Sequence, residues 1–113
     1  MTNANTTYTI EQLEAAGGNL WEKGAMRRVY FNNLPALIGL ELDKYKSGSI
    51  ASAKLNGETV SNAEAGRIIE GLGKVWFDMN DGEFHYSVPG YVRSDYRGYG
   101  QRAINAIIEK LNG

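Results

Sequence analysis

Ile50-Ala51-Ser52-Ala53-Lys54-Leu55-Asn56-Gly57-Glu58-Thr59-Val60-Ser61-Asn62-Ala63-Glu64-Ala65-Gly66-Arg67-Ile68-Ile69-Glu70-Gly71-Leu72-Gly73 decides how the chain folds. Asn56-Gly57 between two short strand-like runs is the strongest short-range hairpin signal, because both residues accept the left-handed backbone of a tight turn. Ser61 followed by Glu64 then reads as a capping box. Ala65, Ile68, Ile69 and Leu72 recur at helical spacing, and Gly71 or Gly73 closes the helix. A hairpin running straight into an amphipathic helix points to an α+β chain.

Working outward, the same punctuation recurs. Thr9 and Gln12 form another capping box, opening a helix through Ala16 that Gly17-Gly18 stops. Leu20–Glu22 and Met26–Phe31 alternate as two strands around Lys23-Gly24-Ala25. Asn33–Ile38 reads as one helical turn, with Asn33 as cap, Pro35 in the first turn and Gly39 at the end. Leu40–Tyr45 alternates as a strand before the Ser47-Gly48-Ser49 turn. Lys74–Met79 and Glu83–Val88 flank Asn80-Asp81-Gly82 as a further hairpin. Ala103, Ile104, Ile107, Ile108 and Leu111 stripe a final helix. No linker and no repeat interrupts this order. The expectation is one α+β domain over residues 1–113, with 1–8 as a flexible lead. Its core is a mostly antiparallel sheet of about five to seven strands with two main helices packed on one face.

Composition bounds the function. Of 113 residues, 42% are hydrophobic and 22% charged, which suits a globular chain. Without cysteine there is neither a disulfide nor a thiolate metal site. The polar N-terminus reads as no signal peptide, and no apolar run spans a bilayer, so a cytoplasmic protein without a membrane partner is expected. Net charge is −1, against affinity from a general basic surface. The charge is uneven. Residues 20–55 carry six basic and three acidic groups, residues 56–85 two and six, and residues 86–113 four and two.

Tyr91 to Arg102 holds the densest set of interface-type residues. Tyr91, Tyr96 and Tyr99 offer stiff contact area, and Arg93, Arg97 and Arg102 offer planar donors for carboxylate or phosphate. Arg27-Arg28-Val29-Tyr30-Phe31 and Lys44-Tyr45-Lys46 mix bases with aromatics on strands, as single-strand binders do. Alternation puts Val29 and Phe31 in the core and leaves Arg28 and Tyr30 as an exposed pair. Trp21 and Trp76 are expected in the core. His85, the single histidine, belongs to no triad and, without cysteine or a second histidine, to no transition-metal site. Asp78, Asp81 and Glu83 cluster at the second hairpin, where turn chemistry accounts for them. No catalytic constellation and no cofactor signature is found.

Arg97-Gly98-Tyr99-Gly100-Gln101-Arg102-Ala103-Ile104-Asn105 resembles the acetyl-coenzyme A loop of the GNAT acetyltransferase superfamily. The resemblance implies that Gly98 and Gly100 hand backbone N–H groups to a pyrophosphate. Asp95 stands where that family carries Gln or Arg. Leu20 to Leu34 is similar to segments of small uncharacterised proteins of phages, plasmids and conjugative elements. That likeness implies an accessory or counter-defence role, such as an anti-CRISPR-like inhibitor. The expectation that follows is a small non-catalytic binding protein whose partner is another protein. The alternatives are a nucleic-acid-binding module using the same arginines and tyrosines, and a reduced GNAT-like acetyltransferase.

Overall fold

The computed structural model describes residues 8–113, so the expected flexible lead lies outside the described residues except for Tyr8. The Tyr8 ring packs edge-on against Phe77 at 5.8 Å. Helix α1 (Ile10–Ala15) opens on the expected capping box, with both Thr9 and Gln12 side chains engaged. Strands β1 (Gly18–Lys23) and β2 (Met26–Phe31) form a hairpin around Gly24, at φ 59°. Gly18 does not stop α1 but begins β1. A Cβ there would come within 2.4 Å of Val29, so the strand pair needs glycine for close approach.

Helix α2 (Leu34–Leu37) carries Pro35 as expected, but Asn33 makes no capping hydrogen bond. Gly39, at φ 81°, turns the chain into β3 (Leu40–Lys44). Strands β4 (Ile50–Leu55) and β5 (Glu58–Val60) close on Asn56-Gly57, at φ 51° and 86°. Helix α3 (Asn62–Leu72) starts on Ser61, whose hydroxyl accepts the Glu64 N–H at 3.0 Å. Only half of the expected box forms, because the Glu64 carboxylate accepts the Tyr96 hydroxyl at 2.5 Å. Strands β6 (Lys74–Asp78) and β7 (Glu83–Ser87) follow, then a 3-10 turn over Ser94–Tyr96 and helix α4 (Tyr99–Asn112).

The strands number seven, and every pairing is antiparallel, yet they form two sheets rather than one. One has the order β1-β2-β6-β7 and the other β3-β4-β5. Each buries its own apolar face, which is why they separate. Val29, Phe31, Val75 and Phe77 of the first meet Leu13 and Ala16 of α1 and Ala103, Ile104 and Ile107 of α4. Leu40 and Ala53 of the second meet Ala65 and Ile68 of α3, with Val92 and Tyr96. Helix α3 also contributes Leu72 to the first core, tying the two together. Each fully buried Ile or Phe contributes roughly 1.5–3 kcal/mol by leaving water. Among the described residues no helix is long and apolar enough to cross a membrane.

Candidate contact surface

Side chains alternate across a strand, so the face of the four-stranded sheet opposite its core follows from the register. Trp21 lies across from Arg28, Arg28 from Asp78, Tyr30 from Trp76, and Trp76 from His85. Four rings therefore run side by side across all four strands. Trp21 stands edge-on to Tyr30 at 6.0 Å, Tyr30 is tilted against Trp76 at 5.7 Å, and Trp76 stacks on His85 at 5.7 Å. The expectation that Trp21 and Trp76 are core residues is corrected here. Trp21 is 37% exposed and Trp76 partly so, and neither joins either apolar core.

Arg28 sits in the middle of this row. Its guanidinium carbon lies 4.9 Å from the Trp76 ring centre and 6.0 Å from that of Trp21, and Nη1 donates to the Tyr30 hydroxyl at 3.0 Å. Among the described residues no carboxylate pairs with it. Asp78 is its cross-strand neighbour, but the Asp78 carboxylate accepts the Asn80 N–H at 2.8 Å instead. Arg27, on the opposite side of β2, pairs with Glu22 at 2.9 Å. Buried Arg28 Nε and Trp76 Nε1 have no acceptor among the described residues. Such orphan donors are uncommon in folded proteins and call for a reason.

A cleft of about 610 Å³ borders the row, lined by Trp21, Tyr30, Pro35, Ile69, Leu72 and Lys74 among others. It forms where the ends of β2 and β6 meet α2 and the end of α3. At the far end of β6 the face turns acidic. There Asp81 accepts the Glu83 N–H at 2.9 Å and pairs with His85 Nε2 at 2.7 Å. Burial pushes the Asp81 carboxyl up, but the Glu83 N–H and His85 outweigh it, so the group titrates below its ordinary 3.8. Ligand atoms of Asp78, Asp81 and His85 lie within 4.8 Å of one another. Hydrogen bonds local to the hairpin account for both aspartates.

The Tyr91–Arg102 segment is built differently from the expectation. Tyr96 is buried at 9% exposure, its hydroxyl is bonded to Glu64, and its ring stacks on Tyr99 at 6.1 Å. Arg97 is half-buried and folds back on its own loop, donating to the carbonyls of Val92, Pro89 and Gly90 at 3.0, 3.2 and 2.8 Å. These two are fastenings of the loop, not presented contacts. Arg102 covers the Tyr99 ring at 4.5 Å, and exposed Arg93 pairs with Asp95 at 3.1 Å. Tyr91 alone of the three tyrosines is fully presented, at 73% exposure. Gly100 also has a packing reason, since a Cβ there would come within 2.6 Å of the Tyr86 ring. Tyr45 is exposed, and Lys44-Tyr45-Lys46 lies at the end of β3, on the other sheet from Arg28.

Of the sequence-derived residues, only Arg28 and Tyr30 fall on the aromatic row. Trp21, Trp76, His85 and Lys74 were missed. Alternation applied to β6 as it was to β2 would have sent Trp76 outward beside Tyr30. Comparison with protein-family models, curated proteins and solved structures returns no match. The reading of function therefore rests on this geometry.

Proposed function

We propose that the chain is a non-catalytic binding protein that acts by occupying another protein, through the outer face of its four-stranded sheet. The observation that carries this reading is the row Trp21–Tyr30–Trp76–His85 centred on Arg28. Trp, Tyr and Arg are the residue types that dominate binding energy at protein interfaces, and they do so when clustered around a cleft. The charge on the face supports a protein over a nucleic acid. A phosphate chain following β6 from Lys74 would run onto Asp78, Asp81 and Glu83, and phosphate neutralisation dominates nucleic-acid affinity. A module of this kind works by blocking, in keeping with the accessory or inhibitor role that its likeness to mobile-element proteins implies.

The test is affinity capture from a bacterial lysate, with and without nuclease, using the wild-type chain and Trp21→Thr. Threonine keeps strand propensity while removing the ring. A protein retained by the wild type in both halves and lost by a folded Trp21→Thr supports the reading. Retention that depends on nucleic acid moves the function to the alternative module, and retention indifferent to Trp21 removes this face from it.

A further inference from the structure

We infer that the partner meets this face with an acidic segment carrying a large apolar side chain, the side chain entering the cleft beside Trp21 and the carboxylates reaching Arg28 and Lys74. The inference rests on the reading above and names the chemistry of the partner.

Two observations carry it. The first is the imbalance of donors and acceptors. Arg28 Nε and Trp76 Nε1 are buried without an acceptor among the described residues, and both side chains are donor-only groups. Those two atoms are closed to solvent, so an incoming group meets the terminal nitrogens of the Arg28 guanidinium, which has no carboxylate within 4.0 Å among the described residues, and a carboxylate is the acceptor that also neutralises it. Asp78 lies directly across the strand, yet its carboxylate turns to the Asn80 N–H and makes no ion pair with Arg28. Arg27, Arg67 and Arg93 each have a carboxylate within 4.0 Å and Arg97 has three backbone carbonyls, whereas Arg28, like Arg102, has neither.

The second is the cleft. Its volume of about 610 Å³ lies in the range that holds ligands or anchoring side chains. Pro35, Ile69 and Leu72 supply apolar wall, Trp21 and Tyr30 supply rings, and the one charged lining residue is Lys74. No carboxylate lines it. A segment that places an apolar residue there and acids on either side matches wall and charge together.

A stacked nucleobase fits less well. The Arg28 guanidinium already lies over Trp76, and His85 is stacked with the same indole at an interplanar angle of 16°. On Trp76 a base would have to displace one of them before gaining a ring face.

The test is selection of random short peptides displayed on phage against the full chain, in parallel with Arg28→Gln, Lys74→Gln and, as a charge control, Lys46→Gln. The expected winners are rich in Asp and Glu around a Leu, Phe or Trp. Their synthetic versions should bind about 5–10-fold more weakly to each of the first two variants and unchanged to Lys46→Gln, as loss of one interfacial charge pair implies. Amide and indole proton shifts should move at Trp21, Asn32, Ile69 and Gly73. The inference is overturned by winners without acidic enrichment, by no enrichment at all, or by shifts centred elsewhere. It is equally overturned if oligothymidylate moves the same signals with steep salt dependence, or if sedimentation shows a second copy of the chain on this face. Lysate capture separates the two levels: a Trp21-dependent protein with no peptide selected sinks only the inference, while capture indifferent to Trp21 sinks the parent reading.

Discussion

The outer sheet face and the Tyr91–Arg102 segment are made of the same residue types and use them in opposite ways. In the segment, Arg97 has three backbone carbonyls as acceptors, Tyr96 has Glu64, and Arg102 has the Tyr99 ring. On the sheet face, Arg28 has one hydroxyl and two indole rings, and donors beside it have nothing. The first arrangement closes a loop onto α3. The second leaves Arg28 on a half-buried aromatic face without a carboxylate. Residue type alone therefore does not say how an arginine or tyrosine is used; the acceptors nearby decide how fully it is tied into the fold.

That contrast can be broken by measurement. The largest effects belong to the closed side. Tyr96→Ala should lower the melting temperature about as far as Ile107→Ala, the reference truncation in the first core. Ile107→Ala itself should cost roughly 2–5 kcal/mol in denaturant unfolding. If Tyr96→Ala melts like the wild type, the segment is not a fastening. Arg97→Ala comes next, at about 1–3 kcal/mol, because it leaves three carbonyls without their charged donor.

The Tyr96 hydroxyl gives a pH signature on the same side. Its hydrogen bond to Glu64, with burial adding to it, holds its pKa above the ordinary 10.0. A folded-state value raised above the unfolded one means that stability is fully present below about pH 10 and falls as pH rises through the raised value. Tyr96→Phe should remove that part of the alkaline loss. An identical alkaline melting profile in both proteins would show that the bond carries no linkage.

The smallest stability effects belong to the open side. Arg28→Gln should change stability by no more than about 0.5–1 kcal/mol and Trp21→Thr, whose ring is partly buried, by about 1–2 kcal/mol. Binding of the partner should nonetheless weaken by about 1–3 kcal/mol, as truncating an interface anchor does. Early melting of both variants, with normal binding, would make the row structural and erase the comparison.

Local chemistry made much of the fold legible. Asn56-Gly57 and Gly24 turn where their backbone freedom is needed, and Thr9-Gln12 caps α1 from both directions. Periodicity placed Ile104 and Ile107 in the core before any contact was known. The misreadings differ in cause. Ser61-Glu64 forms half a box because Tyr96, thirty-two residues away, supplies the better donor to Glu64. Asn33 makes no cap, and its Oδ1 is buried without a partner, a state for which local sequence offers no signal. Trp76 reads as core on residue type alone, although the alternation of Lys74, Trp76 and Asp78 with Val75 and Phe77 marks its outward face locally.

By itself the sequence determined the elements, the turns, the antiparallel α+β class and the placing of Arg28 and Tyr30 on the face opposite Val29 and Phe31, although both are half-buried there rather than exposed. These depend on contacts within a few residues, where backbone freedom and side-chain period act directly. Only the tertiary structure decided that the seven strands divide into two sheets, that Tyr96 turns inward and Arg97 folds back on its own loop, and that Trp21 and Trp76 complete a row around Arg28. Those outcomes depend on which distant acceptor or apolar face wins each side chain, a competition between positions far apart in the chain that no local pattern records.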